Sequence, residues 1–247
     1  MVRISAVSYL NTKPFIYGLA HFLDKRSYSL ELDIPSVCAD KLAAGRADLG
    51  LVPVAVIPAL DRSRIVSDYC IGADGAVGSV MLYSDTPLAG IERVLLDYQS
   101  RTSVLLVQVL AKYYWNIHPQ WAPAAAGFED QISGTTAGVV IGDRTFALAG
   151  KYAFAYDLSE EWKRFSGLPF VFACWVAVKE LEEGFVRVFN HALGQGIARR
   201  EQVIEELEKS GLTPGLLRDY LLNKVSYELD EYKKAGMKRF LELAAAV

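Results

Sequence analysis

The sequence predicts an α/β fold of two lobes, and three observations predict it. Short β-rich runs alternate with helical segments from Val2 to Val178, the pattern of strands covered by helices. Two stretches, Tyr83 to Gly90 and Ser166 to Phe170, read as crossings between lobes. They bound a continuous insert, so residues 87–171 form lobe two, and 1–86 plus 172–247 form lobe one. The 247 residues are 52% hydrophobic and 22% charged, enough apolar material for a sizeable core. Hinged lobes joined by two crossings close on a ligand held in the cleft between them.

The elements follow in order. Val2 to Val7 is a strand and Pro14 to Phe22 a helix. Ser29 to Ile34 alternates as a strand, with Leu30, Leu32 and Ile34 on one face. Pro35 to Arg46 is a helix with proline near its start and Gly45 near its end. Asp48 to Val54 and Gly78 to Tyr83 are strands, giving a mostly parallel sheet. In the second set, Val94 to Asp97 is a strand and Thr102 to Trp115 a largely buried helix. Gly138 to Gly142 is a strand leading into a short helix at Asp143. Asp157 to Phe165 is a helix opened by an Asp157/Glu160 capping box. Val171 to Val178 is an apolar strand. Three helices finish the chain: Leu181 to Lys209, with a break expected near Gly194-Gln195-Gly196; Pro214 to Asn223, with Thr213 as N-cap; and Tyr227 to Ala245. The last carries Leu229, Tyr232, Gly236, Phe240 and Leu243 on one stripe.

Several function classes are disfavoured. Net charge is −3 and no run of Lys/Arg exceeds two residues, so neither a nucleic-acid footprint nor a membrane-surface patch is visible. The start Met1-Val2-Arg3-Ile4-Ser5 lacks the pattern of a secretory signal, and a cytoplasmic location is expected. Cys38, Cys70 and Cys174 are odd in number and far apart, so buried thiols are expected rather than a disulfide framework. His21, His118 and His191 show no ligand spacing to each other or to cysteine, and no metal is expected.

Four segments can carry chemistry, because ligands in open α/β sheets sit at the carboxyl ends of strands. Ser8, Tyr9, Asn11 and Thr12 lie between a strand and a helix opened by Pro14, where free amides favour an anion; Asn11 or Thr12 acting only as a helix cap is the plainer alternative. Gly78-Ser79 precedes a strand: the glycine permits close backbone approach and Ser79 offers a hydroxyl, unless it simply begins the strand. Ser100-Arg101-Thr102-Ser103 opens the buried helix and combines hydroxyls, amides and a guanidinium into a carboxylate or phosphate seat, with N-capping by Ser100 or Thr102 as its alternative. It lacks the glycine pattern of a nucleotide loop. Gly142-Asp143-Arg144 is a strand-to-helix turn in which Asp143 caps the helix or contacts a substrate hydroxyl. Phe170, Phe172 and Trp175 belong to the core, with Phe170 alternatively walling the cleft.

Taken together, Val7 to Phe15, Ala47 to Val54, Ser100 to Val104, Ile141-Gly142-Asp143 and Tyr156 to Ala173 resemble the chorismate dehydratase family of the futalosine route to menaquinone. The resemblance implies the fold of type 2 periplasmic binding proteins and a cofactor-independent hydro-lyase that removes water from chorismate to give 3-[(1-carboxyvinyl)oxy]benzoate. It also implies catalytic roles for Asn11 and Ser79. Two other readings remain: a binding protein for a small aromatic or dicarboxylate anion, and the sibling 1,4-dihydroxy-6-naphthoate synthase. A regulatory effector-binding domain is a third, without a DNA-binding segment to support it. Oligomeric state is not readable from the sequence.

Overall fold

The structure is a computed structural model that describes residues 1–209 and 213–247. In chain order the elements are β1 (Val2–Val7), α1 (Lys13–Phe22), β2 (Tyr28–Asp33), α2 (Pro35–Ala43), β3 (Leu49–Pro53) and β4 (Arg64–Ala73). Then come β5 (Val80–Ser84), β6 (Arg93–Leu96), α3 (Thr102–Leu110), β7 (Gln120–Pro123), β8 (Thr136–Ile141), β9 (Phe154–Asp157) and α4 (Leu158–Ser166). The chain ends with β10 (Phe170–Ala177), α5 (Glu183–Ala198), α6 (Arg200–Glu208), α7 (Pro214–Arg218), β11 (Ser226–Glu228) and α8 (Glu231–Ala244).

Two compact units result. Unit 1 holds Met1–Gly72 and Val171–Asp230; unit 2 holds Ala73–Phe170 and Glu231–Val247. These divisions differ from the expected ones in two ways. The first crossing falls at 72/73 rather than near 86, because β5 pairs with β8 and β9 in the sheet of unit 2. A third crossing at 230/231 sends α8 to unit 2, where Phe240 meets Trp162 and Phe170 edge-on and Gly236 lies against the Pro169 carbonyl.

The sheets are mixed rather than mostly parallel. One runs β11-β4-β10-β3-β1-β2 and the other β7-β6-β8-β5-β9. In the first, β1 is parallel to β2 and β3, while β10 runs antiparallel to β3. In the second, β6 is parallel to β7 and β8, while β5 runs antiparallel to β8 and β9. The reversed strands β5 and β10 follow the crossings between units. Because β5 starts where β8 ends, Val80 opposite Ile141, the loop before β5 sits at the carboxyl tips of β6 and β8.

Helix α1 is pinned through glycine. A Cβ on Gly18 would collide with the Ala192 carbonyl, and one on Gly196 with the Pro14 carbonyl. Gly196 is therefore where α1 and α5 touch backbone to backbone, not where the helix breaks; the break falls at Arg199. The expected helix from Tyr227 is corrected at its start: Tyr227 and Glu228 belong to β11, paired to β4, and the helix begins at Glu231. On α8 the buried residues include Lys233, Gly236, Phe240 and Leu243, whereas Tyr232 is exposed. The expected Pro214 to Asn223 helix is α7 followed by a π-helical turn, Asp219–Lys224, and Thr213 occupies its N-cap position without a side-chain cap bond. The three cysteines are buried and free. Among the described residues no helix is long and apolar enough to cross a membrane.

Candidate active site

Unit 1 places its candidate residues at the end of β1. Ser8 continues from the strand, its amide donating to the Asp33 carbonyl at 2.9 Å, and its side chain is exposed. Tyr9, half-buried, holds the N-cap position of a 3-10 turn at Leu10–Thr12 that runs straight into α1. Neither Asn11 nor Thr12 caps a helix: the N-cap positions of the turn and of α1 show no side-chain cap bond. Asn11 instead points its amide at the far end of the chain. Its Nδ2 donates to the Tyr220 hydroxyl at 3.1 Å, and its Oδ1 accepts from the Thr12 hydroxyl at 3.2 Å. Its backbone oxygen accepts from the Tyr227 hydroxyl at 3.0 Å. Tyr220 and Tyr227 are buried, at 1% and 3% exposure, and burial pushes the Tyr227 phenol well above its ordinary range. It is a neutral donor at any working pH.

Unit 2 gathers Gly78, Ser79, Gly142 and the start of α3. Gly78 and Gly142 take φ of +75° and +72°, left-handed values that a side chain disfavours. The Gly142 amide donates to the Ser79 carbonyl at 2.9 Å, and the Thr145 hydroxyl lies 3.0 Å from the Gly78 carbonyl and 2.9 Å from that of Gly142. Ser79 itself is 2% exposed. Two buried carboxylates hold these loops. Asp157 accepts from the amides of Val77 (2.8 Å) and Gly78 (2.6 Å) on one oxygen, and from Ser159 (3.0 Å) and Glu160 (3.2 Å) on the other. One carboxylate thus caps α4 and also clamps the loop before β5, while Glu160 gives its own carboxylate to Arg164 and does not complete the expected capping box. Asp97 accepts from the amides of Gln99 and Ile141, each at 2.9 Å, and from Arg144 Nη2 at 2.5 Å. Arg144 reaches Glu129 with its other terminal nitrogen, also at 2.5 Å. Burial raises both the Asp97 and the Asp157 carboxyls above the ordinary range, and the amide donors work against that rise.

At the start of α3 the N-cap position is Arg101, without a side-chain cap bond, and the Ser100 hydroxyl one residue before it accepts from the Ser103 amide at 2.9 Å. Thr102 and Ser103 are buried and Arg101 is exposed. Asp97 ties this helix start to the tip of β8 through Ile141. Two expectations need correction. Asp143 is not the helix cap: the N-cap position is Ile141, and Asp143 lies in the first turn. Phe170 walls nothing, because it is fully buried between Trp162 and Phe240, at 5.5 and 5.0 Å between ring centroids.

Ser8, Tyr9 and Asn11 are therefore one constellation, and Gly78, Ser79, Ser100, Arg101, Thr102, Ser103, Gly142 and Asp143 another. The sequence reading missed Tyr220 and Tyr227, which lie 209 and 216 residues from Asn11 and carry no local signal. It missed the clamping roles of Asp97 and Asp157, although an acid ending an apolar strand, in each case, marks the position. Both corners offer short hydroxyls and amides, which hold and orient anions without exchanging protons. The three histidines are all exposed elsewhere.

Residues 2–246 match the profile of a family described as menaquinone biosynthesis. A chorismate dehydratase from Thermus thermophilus is 29% identical, over 93% of this chain and 95% of its own. Among solved structures, AF1704 from Archaeoglobus fulgidus superposes with a TM-score of 0.78 at 15% identity, covering 99% of this chain and 97% of that one. The periplasmic aliphatic sulphonate binding protein SsuA from Escherichia coli gives 0.63 at 18% identity, covering 99% and 91%. The ligand-binding component of an ABC-type import system from Staphylococcus aureus gives 0.68 at 14%, covering 99% and 91%. The fold is that of the type 2 periplasmic binding proteins.

Proposed function

Because the chain belongs to the menaquinone biosynthesis family, we propose that it is a cytoplasmic hydro-lyase acting on chorismate, releasing water and 3-[(1-carboxyvinyl)oxy]benzoate without a cofactor. One observation carries the choice of reaction: the dehydratase relative matches nearly end to end on both chains. The donor sets of the two corners agree with it.

The reaction removes the ring hydroxyl of a cyclohexadiene and the proton on the neighbouring carbon, leaving an aromatic ring. Aromatisation makes the step downhill, so the protein has to lower the barrier and hold the substrate away from rearrangement. The departing proton is vinylogous to the ring carboxylate. Donors that hold that carboxylate spread the negative charge as it develops, which is the logic of an oxyanion hole. In this reading the start of α3, with Arg101, Thr102 and Ser103, holds one substrate carboxylate. Ser79 or Ser8 lies near the other. Gly142 shapes the turn beside Ser79, and Asp143 faces a polar group of the substrate. Tyr9 supports the loop from which Asn11 orients the substrate and stabilises charge near the leaving hydroxyl.

Asn11 is a carboxamide and cannot easily take the proton. Asp97 and Asp157 have their oxygens filled by amides, and the three histidines are exposed. We take the base to be a carboxylate of the substrate or a water molecule. Positioning supplies much of the rate, and a well-placed proton transfer adds roughly 10²–10⁴-fold.

The test is to incubate purified protein with chorismate in buffer without added metal or cofactor. Loss of the diene absorbance with matching appearance of the aromatic enol ether is the expected result. Tight chorismate binding without product would replace the proposal with a binding protein. Turnover only of a larger ribosylated substrate would replace it with the sibling synthase.

A further inference from the structure

Residues 174–230 of unit 1 contribute nothing to the motifs that carry the family resemblance, yet they grip the one carboxamide singled out at the end of β1. A carboxamide has two N–H donors and two acceptor lone pairs. Tyr220 takes one of the N–H groups and the Thr12 hydroxyl fills one lone pair. One N–H and one lone pair of Asn11 are left uncommitted, and the two hydroxyls fix the plane in which they point. Tyr227 fixes the backbone of the same residue from below. Its ring is packed edge-on against Phe15 at 5.4 Å, and the Arg200 guanidinium lies 5.6 Å from its centroid. Tyr220 sits on the π-helical turn Asp219–Lys224, a geometry that is rare in helices and recurs at functional sites.

We infer that Tyr220 and Tyr227 are positioning residues for Asn11: together they aim its free N–H and free lone pair at the substrate. The inference rests on the reading of Asn11 as a substrate-facing group. It predicts an effect on turnover that passes entirely through Asn11.

The experiment combines Tyr220→Phe with Asn11→Ala in a double-mutant cycle, with Tyr227→Phe as a second variant. Tyr220→Phe removes the hydroxyl and keeps the ring. It should lower kcat about tenfold, the scale of one net hydrogen bond, with KM little changed. In the Asn11→Ala background it should lower kcat no further. Tyr227→Phe should act in the same direction, more weakly. A fully additive cycle, or wild-type kcat in both phenylalanine variants of a protein that does convert chorismate, overturns the clamp and leaves the proposed reaction standing. The Asn11 side-chain amide signals, assigned in an NMR spectrum by their loss in Asn11→Ala, give a readout that needs no activity. They should shift and exchange faster in Tyr220→Phe. If the wild type does not turn chorismate over, the proposed reaction falls while these signals still decide the clamp, and unchanged signals overturn it.

Discussion

At the end of β1 the loop is held by phenols; at the start of β5 it is held by carboxylates. Asn11 is fixed by Tyr220 and Tyr227, two neutral groups more than 200 residues away in the chain. The Gly78-Ser79 loop is fixed by Asp157, and the neighbouring strand tips by Asp97, both buried acids that serve backbone amides. The difference has consequences for strength. Each phenol gives Asn11 one hydrogen bond, and losing that bond costs about 1 kcal/mol. A carboxylate that serves four amides organises a whole loop, and its loss leaves several buried donors unsatisfied. Unit 1 thus aims a single side chain, whereas unit 2 shapes a backbone surface.

The largest expected effect contrasts the two corners on the reaction itself. Asn11→Ala and Ser79→Ala should each reduce kcat by roughly 10²–10³, the scale of one lost charge-stabilising donor. Each should also cost about 1 kcal/mol of stability, Asn11 through its bond to the buried Tyr220 hydroxyl and Ser79 through its burial. Steady-state kinetics with chorismate and thermal melts measure both. A kcat near wild type in either variant removes that residue from the mechanism.

Next in size is Asp157→Asn. The substitution keeps the shape but turns an NH2 toward two of the four amides now bonded to the carboxylate. Unsatisfied buried donors cost about 1–3 kcal/mol each, so the variant should lose about 3 kcal/mol in a denaturant titration. Hydrogen exchange should quicken first at Val77 and Gly78. A loss confined to the start of α4 would show that Asp157 is only a helix cap and would erase the contrast between the corners.

How far the sequence carried this picture follows the same division. The loop-forming positions were legible because they are local: Gly78, Ser79, Asn11 and the strand-to-helix turn at Gly142 all lie at ends of apolar runs. Asp157 as the cap of α4 is legible for the same reason. Strand β4 has no clear local signature, because Ser67 and Asp68 interrupt its apolar character. Their polar groups are satisfied by Asn190 of α5, with Ser67 Oγ 2.8 Å from Asn190 Oδ1 and the Asp68 amide 3.0 Å from it, a partner no local pattern announces. Strand β11 was absorbed into a helix because Leu229 falls in step with the stripe of α8, while only its pairing with β4 makes it extended. Phe170 was ambiguous by position and is settled by Phe240, which arrives from the other end of unit 2. Tertiary partners, not propensity, decided each of these.

The smallest effect separates the units by pH. Asp48, in unit 1, accepts from the Arg3 amide at 2.9 Å and lies 2.7 Å from the Arg3 guanidinium and 3.1 Å from Lys179. Burial works to raise its carboxyl, but Arg3 and Lys179 more than offset that and hold it well below the ordinary carboxylate range. A depressed acid contributes stability that is present above its unfolded value of 3.8 and is lost as pH falls toward the folded value. Asp97 and Asp157 in unit 2 are raised, so their cost appears as pH climbs through 3.8 and is relieved on acidification. Acid should therefore loosen unit 1 before unit 2. The cations on Asp48 are about half exposed, at 50% and 48%, and solvent screening limits the contribution to about 1 kcal/mol. Asp48→Asn should be less stable than wild type at neutral pH and should lose less on going from pH about 4 to about 3. Hydrogen exchange across that interval should open β1 and β3 ahead of β6 and β8. The opposite order, or equal acid slopes in the two proteins, would mean that the cation-held carboxylate of unit 1 and the amide-held carboxylates of unit 2 do not divide the molecule's response to pH.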